Sequence, residues 1–231
     1  MNSPLKISFL VAAVFSLASP PHAHAVATLR LTDGVTTITI ADGGVGDSNP
    51  VAGAVTFVGS IGSFSINNVT TGLSKPVLGS ATLPFLDLSS VDVSGSAGTL
   101  TIGFSDNFFG PTPGDVTANI GGTTGGTVLY STFADASNVL FGTSTLLTSQ
   151  GPFGGPAFSG TSFADLGLLS PFSLTQEVVI THASGVRATS FNAELKAQGV
   201  PDGGSTVGLL GLALVGLESL RRRFRGSIKV G

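Results

Sequence analysis

The sequence predicts an all-β fold: a two-sheet antiparallel sandwich of jelly-roll-like form, with a signal helix before it and a short hydrophobic helix after it. Three observations support this prediction. Apolar and polar residues alternate with a period of two along many short segments, as strands with one buried face require. Turns rich in Gly and Asp separate those segments. Between residues 26 and 199 no stretch has the 3.6-residue period of an amphipathic helix.

The N-terminal segment is typical of a secretory signal peptide. Lys6 supplies a positive charge, and an apolar region follows over residues 7–18. Ala23 and Ala25 then form an A-x-A site with the small side chains that signal peptidase requires. The apolar region is too short for a comfortable membrane span. We therefore expect a signal peptide of residues 1–25 that is removed after Ala25.

Residues 26–199 contain the predicted strands and amount to one domain's length of chain. About ten strands, each with one apolar face, are most simply arranged as two packed antiparallel sheets. The clearest alternating segments are residues 28–32, 37–40, 63–67, 99–104, 173–181 and 190–196. The predicted turns are Asp33-Gly34, Asp42-Gly43-Gly44, Gly95 to Gly98, Gly121-Gly122 and Gly125-Gly126.

The composition of this domain limits its partners. Residues 26–199 contain four basic and eleven acidic side chains, which gives a formal charge of −7. Nucleic acids and anionic membrane surfaces bind clustered Lys and Arg, so we expect neither as a partner. The chain has no cysteine, which excludes disulfides, thiol catalysis and thiolate metal sites.

The residues that carry acid–base chemistry are few. His182 is the one histidine left after removal of the signal peptide, and no Gly-x-Ser-x-Gly motif accompanies it. We interpret it as a strand-end histidine that contacts water, not as the base of a catalytic triad. Glu177 and Glu194 lie on the polar faces of alternating strands, where cross-strand pairs with Arg187 or Lys196 are expected rather than a glycosidase pair. The sequence therefore predicts that the protein is not an enzyme.

A Gly-rich loop over residues 42–49 offers oxygen ligands for a hard cation. Asp42, Asp47 and Asn49 are the calcium candidates, because calcium prefers carboxylate and carbonyl oxygens. The loop lacks the D-x-[DN]-x-[DN]-G spacing with a closing Glu, and the same residue types form ordinary turns. We expect plain turns here and no metal or cofactor, with a calcium ion as the alternative.

Aromatic residues bear on carbohydrate binding. Sandwich modules that bind glycans usually present Trp or Tyr platforms, whereas this chain has no Trp and a single Tyr, Tyr130. Its sixteen Phe residues more often fill cores. Phe108-Phe109 and Phe153 fall in predicted loops, where they either pin a loop onto the sandwich or form an exposed adhesive patch.

The C-terminal segment has three parts in a fixed order: a turn, an apolar stretch over residues 207–217, and a basic cluster. A simple membrane span needs roughly 20 apolar residues, and this stretch is shorter. The positive-inside rule would hold the basic cluster in the cytoplasm. We therefore expect a marginal transmembrane helix that tethers an exported domain. The turn residues are Val200, Pro201, Asp202, Gly203 and Gly204, and the basic residues are Arg221, Arg222, Arg223 and Arg225.

This tripartite tail resembles the C-terminal sorting signals of the PEP-CTERM class, in the variant that begins Val-Pro-Asp. The resemblance covers residues 200–225 and implies recognition by an exosortase, a membrane protease-transpeptidase that cleaves near the Val-Pro-Asp motif. It also implies a transient stay in the inner membrane. Delivery to the cell envelope or extracellular matrix of a Gram-negative-type bacterium would follow.

Three regions are expected: a signal peptide over residues 1–25, an exported β-sandwich over 26–199, and a sorting segment over 200–225 with a basic tail to residue 231. The expected function is that of a non-catalytic exported surface or matrix protein, with signal peptidase and an exosortase-type protease as partners. The alternative is a glycan-binding module for matrix polysaccharide, assisted by calcium.

Overall fold

The computed structural model describes residues 26–112, 114–167, 170–198 and 203–227, and the predicted signal peptide, with Ala23 and Ala25, lies outside these ranges. The described residues form twelve β-strands and one α-helix. The elements are β1 (Thr28–Thr32), β2 (Thr37–Ala41), β3 (Ala54–Ile61), β4 (Phe64–Leu73), β5 (Phe85–Gly95), β6 (Gly98–Phe109), β7 (Asp115–Thr124), β8 (Thr127–Asp135), β9 (Thr145–Gly154), β10 (Phe158–Asp165), β11 (Phe172–His182), β12 (Arg187–Ala197) and α1 (Gly203–Ser227).

The strands form two six-stranded antiparallel sheets. The first sheet has the strand order β2-β1-β6-β11-β8-β9, and the second sheet has the order β10-β7-β12-β5-β4-β3. This arrangement confirms the prediction of an all-β chain with two antiparallel sheets. The alternating segments that predicted strands correspond to β1, β2, β4, β6, β11 and β12.

One hydrophobic core lies between the two sheets. Along β12, Phe191, Ala193 and Leu195 are buried, whereas Asn192 is exposed and Glu194 is half-buried on the outer face. The buried residues of both sheets belong to one continuous cluster. Period-2 alternation therefore sorts each strand into a core face and an outer face.

Contacts between the sheets show how closely they pack. Phe104 of the first sheet lies directly against Gly72 of the second, where a Cβ atom would overlap the ring. The Tyr130 hydroxyl donates to Gln176 Oε1 at 2.5 Å and lies 3.1 Å from the carbonyl oxygen of Glu194 in the second sheet. Burial raises the pKa of Tyr130 well above its usual value.

The last eight strands pair in a nested order. β5 pairs with β12, β6 with β11, β7 with β10 and β8 with β9, and successive pairs alternate between the two sheets. The pairings β7–β12 and β8–β11 complete the layers. This is the pattern of a long antiparallel ribbon wound around a core, with β1 and β2 extending one sheet and β3 and β4 the other. As a result, strands far apart in the chain share each outer face.

The predicted turns lie between strands with one exception. Asp33 begins the β1–β2 turn, where its carboxylate accepts the backbone N–H groups of Val35 and Thr36 at 3.0 and 2.6 Å. These hydrogen bonds lower the pKa of Asp33. The turn predicted at Gly121-Gly122 is wrong, because both residues lie inside β7. Hydrogen-bonded partner strands on both sides, β10 and β12, hold this segment extended despite the low strand propensity of Gly.

A loop covers part of the outer face of the first sheet. The β8–β9 loop, residues 136–144, folds over the first sheet: the N–H of Phe141 donates to Ser105 Oγ at 3.0 Å, and Ser173 Oγ donates to the carbonyl of Val139 at 2.6 Å. The Arg30 guanidinium lies 4.0 Å from the centre of the Phe141 ring. Ser105 is consequently fully buried although it lies on the outer face of its strand.

Candidate functional site

The C-terminal helix contains most of the predicted sorting segment. Gly203 and Gly204 begin α1, while Val200, Pro201 and Asp202 lie outside the described residues. The exposed side chains of Glu218 and Arg221 are 3.6 Å apart, an i,i+3 pair that neutralises the acidic interruption of the apolar stretch. The basic cluster lies in the last turns of the helix, and the side chains of Arg222, Arg223 and Arg225 lie outside the described part of the chain.

The apolar side chains of α1 are exposed over the range where they are described. Leu209 is 69 % exposed and Leu212 is 72 % exposed, and the same holds for the other Leu and Val residues between positions 207 and 217. An amphipathic helix packed on the sheets would bury such residues. Within the described ranges, no helix is long and apolar enough to cross a membrane, so the predicted transmembrane helix receives no support from the structure.

The calcium candidates accept hydrogen bonds from the backbone of their own loop and of the chain that follows it. Asp47 Oδ1 accepts the N–H groups of Asn49 and Thr56, both at 2.9 Å, and its other oxygen accepts the N–H of Gly43 at 3.0 Å. Asp42 Oδ2 accepts the N–H of Gly53 at 2.6 Å. Among the described residues, no group of three or more His, Cys, Asp or Glu side chains is placed to hold a metal ion. The carboxylates are therefore arranged as turn caps.

His182 ends β11 as expected, but its environment differs from the prediction. The side chain is 1 % exposed, so the interpretation as a water-contacting histidine is wrong. Its ring nitrogens lie 3.2 Å from the carbonyl oxygen of Gly95 and 3.0 Å from the Thr189 hydroxyl, and its ring packs against Phe64. Burial lowers the pKa of His182. The histidine thus joins the ends of the two sheets.

Glu194 has an unexpected neighbour. Its direct partners across the second sheet are Asp87 on β5 and Asn119 on β7, so the predicted pair with Lys196 or Arg187 is wrong. Strand register decides this, because Lys196 stands opposite Phe85 and lies 5.3 Å from that ring. Burial, with the negative charge of Glu194 as a second cause, raises the pKa of Asp87 to about 6, and a hydrogen bond with Asn192 opposes the rise.

A shallow groove crosses the outer face of the second sheet beside this carboxylate pair. Two neighbouring cavities, of about 340 Å³ and about 260 Å³, lie along it, and Gly121 and Asn192 line both. We call this feature the sheet groove. Its first part is lined by Asn119, Ile120, Gly121, Ser159, Gly160, Thr161, Asn192 and Glu194, and its second part by Ser90, Val91, Gly121, Gly122, Thr123, Ser190, Phe191 and Asn192.

Sequence reasoning did not find the sheet groove. Its walls come from β5, β7, β10 and β12, which alternation identifies singly but does not place side by side. The signal that the sequence offers is the alternating polarity of residues 115–124, within which Gly121-Gly122 also has the composition of a turn. Phe163 is also new: it lies on β10 with Thr161 and is 68 % exposed. The prediction that Phe108, Phe109 and Phe153 lie in loops is wrong, because the first two end β6 and the third lies in β9. Phe109 is buried, Phe108 is partly exposed, and Phe153 stacks on Phe158.

A buried ion pair is the other polar cluster with strong geometry. Lys75 Nζ lies 2.8 Å from Asp106 Oδ2, donates to the carbonyl of Asn107 at 2.7 Å and sits 3.7 Å from the centre of the Phe109 ring. Ser74 Oγ donates to the same Asp106 oxygen at 2.7 Å. Every contact of this pair is internal, which makes it a structural element.

Comparisons with known proteins bear mainly on the C-terminal segment. No curated protein matches the chain. Among solved structures, one of infectious bursal disease virus Gx strain aligns with 85 % of this chain at 14 % identity and a TM-score of 0.32. The alignment covers 54 % of that viral chain, so the protein spans about half its length.

One family model matches, the VPDSG-CTERM motif, over residues 199–224. The matched range includes the residues Val200 to Gly204, the apolar stretch and Arg221 to Arg223. Its three parts occur in the order that the sequence analysis identified. The C-terminal segment of this protein is therefore a PEP-CTERM-class sorting signal of the kind that exosortases process.

Proposed function

We propose that this protein is a non-catalytic exported protein of the cell surface or extracellular matrix, whose folded β domain is delivered by an exosortase-type sorting system. The match of residues 199–224 to the sorting motif carries the proposal. A sorting signal of this class acts on a translocated chain, and the predicted signal peptide at residues 1–25 supplies the route of export. The final location, at the envelope or in the matrix, is part of the proposal.

The fold supports a structural role. We infer that β5 to β12 form a jelly roll, since their four nested pairs alternate between two sheets. The domain has no disulfide, so its stability outside the cytoplasm comes from one continuous core and its strand ladders. The histidine that a hydrolase would use as a base is buried, and both of its ring nitrogens already have partners.

The test is mass spectrometry of the protein isolated from its native host. We expect a mature N-terminus at Val26 and a C-terminus within or near Val200–Gly204, with the arginine cluster removed. Replacing Pro201 and Asp202 by Ala should leave the apolar segment attached, because the cleavage site is lost. A mature protein that still ends at Gly231 in the unaltered chain would contradict processing by an exosortase.

A second candidate function is glycan binding by the folded domain, with or without calcium. The sheet groove favours it, because amide, hydroxyl and carboxylate side chains line a cleft on an exposed face. The calcium part has weaker support, since the carboxylates of the 42–49 loop already accept backbone N–H groups. Melting the protein with calcium and with a chelator tests that part, because a bound ion must raise the melting temperature.

A further inference from the structure

The floor of the sheet groove contains Gly121 and Gly122. The backbone requires glycine at 122 but not at 121. Gly121 does not have a positive φ, and a Cβ atom there would lie 3.6 Å from the nearest atom, the carbonyl oxygen of Phe158, which is an ordinary contact. By contrast, a Cβ at the neighbouring Gly122 would overlap the carbonyl oxygen of Ser190. The backbone therefore accepts a side chain at 121, and that side chain would point into the groove. The missing side chain therefore creates space at the surface.

The polar groups along the groove are those that bind polyhydroxylated ligands. Asn119 and Asn192 provide amides, Ser159 and Thr161 provide hydroxyls, and Glu194 provides a carboxylate. They project from adjacent strands at matched register: Thr161 opposes Asn119, which opposes Glu194, and Ser159 opposes Gly121, which opposes Asn192. The outward-facing residues therefore form two parallel rows of donors and acceptors that run across the strands, with the gap at Gly121 in the second row.

The charge of the groove favours a neutral ligand. Its lining includes no Lys or Arg, and Glu194 with Asp87 behind it makes one wall negative. Lys196 lies on the same face but outside the lining, near the ring of Phe85. Uronic acid, sulfate or phosphate groups would be repelled by the carboxylate wall. A neutral sugar chain would not be repelled by the carboxylates.

An exposed aromatic ring lies beside the groove, outside its lining, in the same register row as Lys196. Phe163 projects from β10 on the same face as Thr161, two residues further along the strand, and is 68 % exposed. A single exposed Phe is ordinary on a protein surface, and what distinguishes this one is its place beside polar groups that could bind sugar hydroxyls. Val91, 43 % exposed, provides an apolar contact in the lining of the second part. The apolar faces of sugar rings pack on such side chains while their hydroxyls bind the polar groups between.

We propose that the sheet groove binds a neutral polysaccharide, with Phe163 as a stacking platform and Asn119, Asn192 and Glu194 as hydrogen-bonding groups. This inference rests on the second proposed function and gives it a site and a ligand class. The groove crosses four strands, β10, β7, β12 and β5, which at a spacing of about 4.8 Å spans about 14 Å, enough for two or three sugar units.

The test is affinity electrophoresis of the full-length protein in native gels that contain dextran, mixed-linkage β-glucan, galactomannan or, as the anionic comparison, alginate. We expect at least one neutral polymer to slow the protein and alginate to have no effect. Calorimetry with oligosaccharides of the retained polymer then gives affinities. Phe163→Ala and Asn192→Ala should each weaken binding about ten-fold, and Gly121→Val should remove it by filling the floor.

Matched controls separate groove effects from folding effects. Leu146→Ala removes another exposed apolar side chain, and Gly154→Val adds a side chain to another strand glycine with open space around it, both on the first sheet. Both controls should bind as the unaltered protein does. Gly121→Val should also melt at the same temperature or higher, because Val favours strands and the Cβ position at residue 121 has only ordinary contacts.

Each outcome has a definite meaning. Retention by none of the three neutral polymers overturns both the groove proposal and glycan binding as the second function. Retention that persists in Gly121→Val and Phe163→Ala overturns the groove while glycan binding stands. Retention by alginate alone overturns the neutral ligand class. None of these outcomes affects the sorting proposal, which the masses of the processed ends decide.

Discussion

At the scale of single residues, the Lys75–Asp106 ion pair is the feature whose stability depends most strongly on both of its side chains. Asp106 is fully buried and the Lys75 side chain is 14 % exposed, so the carboxylate is removed from water and the ammonium largely so. Burial lowers the pKa of Lys75, and the charge and hydrogen bond of Asp106 oppose that change. The remaining donors of Lys75 are used by the Asn107 carbonyl and the Phe109 ring. A pair satisfied in this way depends on both partners.

We predict that Lys75→Met lowers the free energy of unfolding by about 3–5 kcal/mol, because it leaves the buried carboxylate of Asp106 without a counter-charge. Urea unfolding at pH 7 measures the change. Arg187→Met removes a cation whose side chain is exposed, and we expect a loss within about 0.5 kcal/mol. Equal effects of the two variants would contradict a special role for the ion pair.

Asp87 introduces a pH dependence of known sign. Its pKa is raised to about 6 in the folded protein, above the ordinary value of 3.8, so between those values the folded state binds more protons than the unfolded state. Stability should therefore fall as pH rises through this window. The loss should be about 1–2 kcal/mol, after discounting for partial exposure. Urea midpoints at pH 5 and pH 7 measure it.

His182 acts in the opposite direction over the neighbouring range. Its pKa is lowered below the ordinary 6.5, so its contribution to stability is present above pH 6.5 and is lost as pH falls. The Asp87→Asn variant isolates the carboxyl, because it keeps the histidine. We expect this variant to lose stability more steeply than the unaltered protein on going from pH 7 to pH 5. Identical pH profiles for the two proteins would rule out the assignment to Asp87.

At the scale of elements, the period-2 alternation predicts which segments are strands, but it does not predict which strands are neighbours or in what register they pair. β1, β6 and β12 follow from their period-2 patterns, because one face of each must enter the core. The opposition of Asp87 and Glu194 does not follow from any pattern, since it depends on the register of β5 against β12, more than 90 residues later in the chain. The strand at Gly121-Gly122 was missed for a related reason: tertiary pairing overrode local propensity.

The β8–β9 loop gives a test at this scale. We predict that Ser105→Ala lowers the free energy of unfolding by about 1–3 kcal/mol, because the half-buried N–H of Phe141 loses its acceptor and the carbonyl of the buried Leu174 loses a donor. Amide hydrogen exchange should also quicken in residues 136–144. Ser131→Ala removes an exposed hydroxyl from the outer face of the same sheet and should change neither quantity. Unaltered exchange in the loop would mean that Ser105 does not anchor it.

At the scale of the whole molecule, the nested pairing makes the domain depend on its last strand. β12 lies between β5 and β7, near the middle of the second sheet, and contributes Phe191, Ala193 and Leu195 to the core. Gln198, which closely follows β12, still donates its N–H to the Asp115 carbonyl at 2.7 Å. The described apolar side chains of α1 are exposed and add nothing comparable to that core. The folding unit should therefore end where the sorting segment begins.

We predict that a chain ending at Gln198 melts cooperatively at the temperature of the full-length protein, while a chain ending at Ser184, which lacks β12, does not fold. The first change removes a helix whose described apolar side chains are exposed, whereas the second leaves β5 and β7 without their shared partner and opens the core. Thermal denaturation followed by circular dichroism measures both. A large fall in melting temperature on removing residues 199–231 would show that the sorting segment is part of the folded domain. In that case its cleavage by an exosortase would release a destabilised protein and not a finished one.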